Sequence, residues 1–285
     1  MQILCPTDGS PGAAAAIDMV IGTFKPVGLS VDLLAVIPSP AGGWSMAAAD
    51  AQAGADALLV RERARLEAAG FAVETSTRTG HPADEIVAFA ATRQPTLVIL
   101  GARAQGDGRH AFTGPVASTV ARYCGTSVLI ARHGRPVRSI VLGYDGSPGA
   151  DAAVSLLLDL PYRVRPQIAV CTAFDIVTPF TSGIAPLLRA QAVAAAEEEL
   201  VAAAQAAEEL ALEASDRLTR GALPATPYAL RGRPSEQLMV LAGETGADLI
   251  AAGSRGVSTI ARFLLGSTSS ELAAITSTDL LVARA

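Results

Sequence analysis

Short runs of consecutive apolar residues recur along the chain, separated by longer stretches rich in alanine. In the second half the runs are SIVLGY (139–144), PQIAVCTA (166–173), ATPYALR (225–231), DLIAAG (248–253) and DLLVAR (279–284). Runs this short, apolar on both faces, predict buried parallel strands. The stretches between them predict helices, so the order is strand, helix, strand, helix, closing on a fifth strand. That alternation predicts a doubly wound α/β unit, a five-stranded, mostly parallel sheet with helices on both faces. Ligands of such sheets bind at the carboxyl ends of the strands, where the strand order reverses.

The first half repeats the pattern. PTDGSPGAAAAIDMV (6–20) matches GYDGSPGADAAVSLL (143–157), and TGHPADEIVAFAATRQPTLVILGARA (79–104) matches RGRPSEQLMVLAGETGADLIAAGSRG (231–256). GTSVLIAR (125–132) matches TSTDLLVAR (276–284) less tightly. The offset grows by about fifteen residues between the first pair and the second, which places the extra length in segment 185–220, read as one extended helix. Two tandem units follow, residues 1–133 and 138–285, joined by HGRPVR (133–138). Their last strands are expected to meet, giving a pseudo-dimer within one chain; homodimers of the chain are compatible with this.

Two local patterns carry candidate chemistry. DGSPG occurs at 8–12 and 145–149. Ser10 and Ser147 are suited to cap a helix, with Pro11 and Pro148 at its first position. A helix start explains these residues without a ligand; it explains Asp8 and Asp145, each at the end of a first strand, less well. The second pattern is GSRGVSTIARFLLGST (253–268). Gly253 and Gly256 would let backbone come close to a ligand. Gly266, Ser267 and Thr268 open a helix, where free N–H groups and hydroxyls make an anion site, and Arg255 can reach a phosphate oxygen. Strand ends and helix caps also use glycine and serine, so spacing alone leaves both readings open. GxxxxGK[ST] is absent, which excludes a P-loop, and GDGRHA (106–111) is a chance match to a dinucleotide fingerprint.

The spacing G-x2-G-x9-G-S, together with the DGS turn after the first strand, resembles the universal stress protein family, and the whole chain is similar to its tandem members. The resemblance implies an adenine nucleotide alpha hydrolase-like fold and ATP as ligand. It places Gly143, Tyr144 and Asp145 by the adenosine and Ala173 against the adenine, where the family often has valine. Gly253, Arg255 and Gly256 would line ribose and phosphates, and Gly266, Ser267 and Thr268 would bind the phosphates. Mg2+ could accompany them through water and Asp145. A regulatory role in stress response is implied by the resemblance alone.

The first copy departs from this pattern. Gly101, Arg103 and Gly114 are kept, as are Asp8 and Val36, but Ala104 replaces Gly256, Pro115 replaces Ser267 and Val116 replaces Thr268. Pro115 brings neither N–H nor hydroxyl yet remains a good first helical residue. The first site is therefore expected to be vestigial and the second to bind ATP.

Composition narrows the rest. Half the residues are hydrophobic, 17% are charged, and the net charge is −5 without a basic block, which argues against nucleic acid and a membrane surface as partners. The N-terminus lacks a signal-peptide pattern, and glutamates interrupt the alanine-rich run, so a cytoplasmic protein is expected. Cys5, Cys124 and Cys171 are read as buried free thiols. His81, His110 and His133 are read as surface loop residues, and Trp44 and Met46 as a packed loop or an exposed apolar patch. No nucleophile elbow, zinc cluster or general base stands out, so no catalytic residue is assigned. A slow ATPase and a nucleotide-independent scaffold are the alternatives.

Overall fold

A computed structural model describes residues 1–39, 46–102, 113–175, 186–254 and 265–285. The first unit runs β1 (Gln2–Pro6), α1 (Pro11–Thr23), β2 (Ser30–Ile37), α2 (Met46–Ala68), β3 (Ala72–Thr79), α3 (Pro82–Arg93), β4 (Leu97–Gly101), α4 (Pro115–Tyr123) and β5 (Ser127–Ala131). The second repeats the order with β6 (Ser139–Gly143), α5 (Pro148–Asp159), β7 (Gln167–Phe174), α6 (Pro186–Arg220), β8 (Ala225–Arg231), α7 (Pro234–Thr245), β9 (Leu249–Gly253), α8 (Ser267–Ile275) and β10 (Asp279–Ala283). The strands lie where the apolar runs predict them. The extra length of the second copy is a helix of 35 residues, α6, against 23 in α2.

Both units join one ten-stranded sheet, in the order β3-β2-β1-β4-β5-β10-β9-β6-β7-β8. Strands within each unit are parallel, and β5 and β10 pair antiparallel, with Leu129 opposite Leu281. The last strands of the two copies thus meet as the repeat leads one to expect. On one face a single apolar core runs unbroken through both units, from Ile17 and Leu66 to Leu157 and Leu218. On the other face each unit has its own core, and Leu265 packs against both. The outer strand β8 carries Pro227, paired in register with Val170; a residue without an N–H is tolerated at such an edge and discourages further pairing.

The seam is reciprocal. Arg132 follows β5 and reaches the second unit, donating from Nε to Thr278 O (3.1 Å) and from Nη2 to Ala273 O (3.5 Å), while Nη2 also donates to Thr113 Oγ1 of its own unit (2.9 Å). Arg284 follows β10 and reaches the first, donating from Nη2 to Arg122 O (3.1 Å) and also to Ala121 O. Each arginine thereby caps carbonyls around the end of the other unit's last helix, the terminus that favours a cation. Buried Asp279 accepts the N–H of Arg132 (2.6 Å) and of His133 (3.3 Å). Burial pushes its carboxyl up, against those N–H groups, which favour the charged form. His133, exposed in the linker, is 2.7 Å from Ser277 O through Nε2, and the exposed His81 precedes α3.

At the other side of the sheet the turns after α1 and α5 meet. Phe24 and Tyr162 stack with centroids 6.0 Å apart, flanked by Lys25 N–H to Pro161 O (2.6 Å) and Arg163 N–H to Thr23 O (2.8 Å). The Tyr162 hydroxyl is buried and makes no hydrogen bond with the described residues. Burial without a partner pushes its phenol up. Tyr162→Phe is therefore expected to leave stability unchanged or raise it by about 1 kcal/mol, since only an unsatisfied group is removed. Urea unfolding reads this; a lower midpoint would show that the hydroxyl is paired.

All three cysteines are free and buried, as expected, and burial pushes the thiols of Cys5 and Cys171 up to about 12, which keeps them protonated. No described helix is long and apolar enough to cross a membrane. Trp44 and His110 lie outside the described residues, as does any patch around Trp44 and Met46.

Candidate functional site

The strand order reverses between β1 and β4 in the first unit and between β6 and β9 in the second. At both points the DGS turn has the same construction. Ser10 Oγ accepts the N–H of Ala13 (3.3 Å), and Ser147 Oγ that of Ala150 (3.2 Å). Pro11 and Pro148 open α1 and α5. Asp8 Oδ1 accepts the N–H of Ser10 (2.9 Å), and Asp145 Oδ1 that of Ser147 (3.1 Å). Both aspartates are exposed and each closes an Asx-turn, a local role that the helix-start reading lacked.

Gly101 and Gly253 end β4 and β9, and the structure gives both a packing reason. A Cβ on Gly101 would lie 2.0 Å from the carbonyl carbon and oxygen of Gly12. One on Gly253 would lie 2.5 Å from the carbonyl carbon of Gly149 and 2.7 Å from Ala150 N. What these glycines admit is the first turn of α1 or α5, pressed against the strand end. The same contact sets the helix N-termini beside the switch points.

In the second unit Gly143, Asp145, Ala173, Gly253, Gly266, Ser267 and Thr268 all stand at the carboxyl side of the parallel strands. Ala173 is half-buried in β7, in register with Leu230. Gly266 is the N-cap of α8 and makes no side-chain cap, with Ser267 exposed at the first helical position and Thr268 half-buried. Tyr144 departs from the place expected for it. Its side chain is buried in the core against α5 and α6, donating to Asp151 Oδ1 (2.9 Å), which also accepts from Arg217 (2.5 Å). Burial and the Asp151 bond push its phenol up to about 12, while the Arg217 guanidinium holds Asp151 below the usual carboxylate range. Only the Tyr144 backbone remains at the strand end, where its carbonyl accepts from Thr172 Oγ1 (2.8 Å). Arg255 and Gly256, and Arg103 in the first unit, lie outside the described residues.

One contributor was missed in the sequence. Ser269, buried in the first turn of α8, donates from Oγ to Gly253 O (2.5 Å), while Gly266 N–H donates to Ser254 O (2.5 Å). These bonds tie the two ends of the glycine loop together. The first copy has Ala117 in place of Ser269, a change visible by extending the internal alignment one residue beyond Val116.

In the first unit the switch point holds a crevice of about 720 Å3. Asp8, Val36, Gly101 and Gly114, four of the five residues assigned to the vestigial site, line it together. Gly114 caps α4 at φ +80°, a left-handed conformation that favours glycine, whereas Gly266 sits at φ −61°. Pro115, Val116 and Ala117 face the crevice where the second unit has three hydroxyl residues. Among the described residues no group of three or more His, Cys, Asp or Glu could hold a metal ion.

The fold is that of a doubly wound α/β protein of two fused units, each with a switch point at the carboxyl ends of its strands. The family model for universal stress proteins matches residues 1–132 and again 136–284. The chain belongs to the universal stress protein family, with two copies of its domain in tandem. Among solved structures it is similar to a universal stress protein from Archaeoglobus fulgidus, at 19% identity and TM-score 0.70 over 99% of this chain and 98% of that one. It is also similar to a putative universal stress protein from Pseudomonas aeruginosa, at 13% identity and TM-score 0.60 over 99% and 92%. These likenesses extend across both units and support the fold. A universal stress protein solved in complex with cAMP is 25% identical, with TM-score 0.35 over 52% of this chain and 97% of that one. No curated protein matches the chain.

Proposed function

We propose that the protein binds an adenine nucleotide, ATP by the family resemblance, at the second unit and serves as a regulatory stress-response protein rather than as an efficient enzyme. The observation that carries this reading is the contrast at the two helix starts. In α8, Ser267 and Thr268 stand at an uncapped N-terminus, above a loop whose ends Ser269 and Ser254 hold together. In α4 the same positions are Pro115, Val116 and Ala117. A helix N-terminus with free N–H groups and hydroxyls favours phosphate oxygens. Gly143, the Tyr144 backbone, Asp145 and Ala173 would border the adenosine, and Gly253, Arg255 and Gly256 the ribose and phosphates. Asp145 would meet Mg2+ through water. No candidate general base stands out in the sequence, so binding rather than turnover is the activity proposed.

Calorimetry of the full chain with Mg-ATP tests this. One equivalent per chain is expected. Two equivalents of equal affinity would overturn the preference for the second unit, and no binding would overturn the reading itself.

A further inference from the structure

The crevice of the first unit is large enough for a small organic molecule yet lacks one N–H and two hydroxyls that the start of α8 offers a polyphosphate. Its volume of about 720 Å3 lies within the range of ligand pockets. Leu34, Val36, Leu58, Ile86, Leu100 and Val116 are among the residues of its apolar wall. Among its described lining residues Asp8 is the one ionisable group, and it is an acid. Pro115 offers no N–H, and neither Val116 nor Ala117 has a hydroxyl. An anion entering here would leave water, find no cation among the described lining residues, and face a carboxylate. A neutral molecule meets the opposite balance. Its apolar body is covered by the wall, and a hydroxyl or amine N–H at one end can donate to Asp8, whose Oδ1 alone is engaged in the turn.

We infer that the first unit's crevice is a second, separate binding site that takes a neutral, largely apolar small molecule with a hydrogen-bond donor at one end, and excludes nucleotides. The two units of the chain are then specialised for opposite ligand chemistry, and the changes at 115–117 are the mark of a new site rather than of decay.

A matched pair of probes tests the charge rule. N-phenyl-1-naphthylamine is neutral and carries an N–H; 8-anilinonaphthalene-1-sulfonate has the same rings and a sulfonate. In fluorescence titrations of the full chain the neutral probe is expected to saturate at one equivalent. The sulfonate is expected to bind at least about tenfold more weakly. Gly54→Phe supplies the location. Gly54 lines the crevice from α2, and a Cβ there meets nothing within 4 Å, so a side chain can start from this position without a clash at its base, and circular dichroism checks that the variant is folded. This variant is expected to lose the neutral probe by at least about tenfold while retaining wild-type Mg-ATP binding. Asp8→Asn, which keeps an acceptor for the turn, is expected to narrow the gap between the two probes. Equal binding of both probes, unchanged binding in Gly54→Phe, or displacement of the neutral probe by Mg-ATP would each overturn the proposal. Failure of ATP to bind at all would overturn the assignment of the second unit and leave this one standing.

Discussion

Gly101→Ala is expected to destabilise the chain by roughly 3 kcal/mol or more, the upper end of what forced overpacking costs. The new methyl would sit 2.0 Å from Gly12 backbone and 2.6 Å from Ala13 N. Neither neighbour is a flexible side-chain tip that can swing aside. α1 would have to lift from β4, and the apolar contacts of Ile17 and Val20 in the shared core would loosen with it. Gly253→Ala repeats the experiment in the second unit, with the nearest atoms at 2.5 and 2.7 Å and a somewhat smaller expected loss. Gly54→Ala is the control. Its Cβ meets open space in the interior of α2, and alanine there is expected to add about 0.5–1 kcal/mol. Urea unfolding without nucleotide measures all three. If Gly101→Ala and Gly253→Ala were as stable as the parent chain, the packing reason for these glycines would be wrong.

Ser267→Pro is expected to lower Mg-ATP affinity more than a hundredfold while the protein stays folded. The change removes an N–H and a hydroxyl from the start of α8. Hydrogen bonds to a charged group contribute about 1.5–3 kcal/mol each, so losing two costs at least about 3 kcal/mol. The fold survives because proline suits the first helical position, and Pro115 already occupies it in α4. Ser267→Ala keeps the N–H and is expected to fall between the two. Calorimetry and circular dichroism on the full chain give affinity and integrity together. A folded Ser267→Pro protein with undiminished ATP affinity would falsify the placement of the phosphates at α8.

Much of the architecture was legible because the buried strands are written as unbroken apolar runs and the chain is written twice. β8 and the end of α6 fall where pattern places them, and the DGSPG turns cap α1 and α5 as their letters imply. The glycines show where such reading stops. A backbone that must admit a ligand and one that must admit a neighbouring helix both require a missing Cβ, so sequence cannot separate them. Tyr144 is similar: its place after β6 is legible, but the pull of Asp151 and Arg217 toward the opposite face comes from α5 and α6 packed together. The paired arginines at 132 and 284 follow matching strands in plain view. Their role depends on β5 lying beside β10, a contact between residues some 150 positions apart.

The antiparallel seam has one more result. It points the carboxyl ends of the two strand sets in opposite directions, so the two switch points open at opposite margins of the sheet. Two identical subunits joined this way would show the same margin twice and could separate on dilution. Here the margins differ, and the peptide between β5 and β6 makes their ratio one to one at every concentration. The molecule has a head and a tail, and anything assembled from it by its margins inherits a direction.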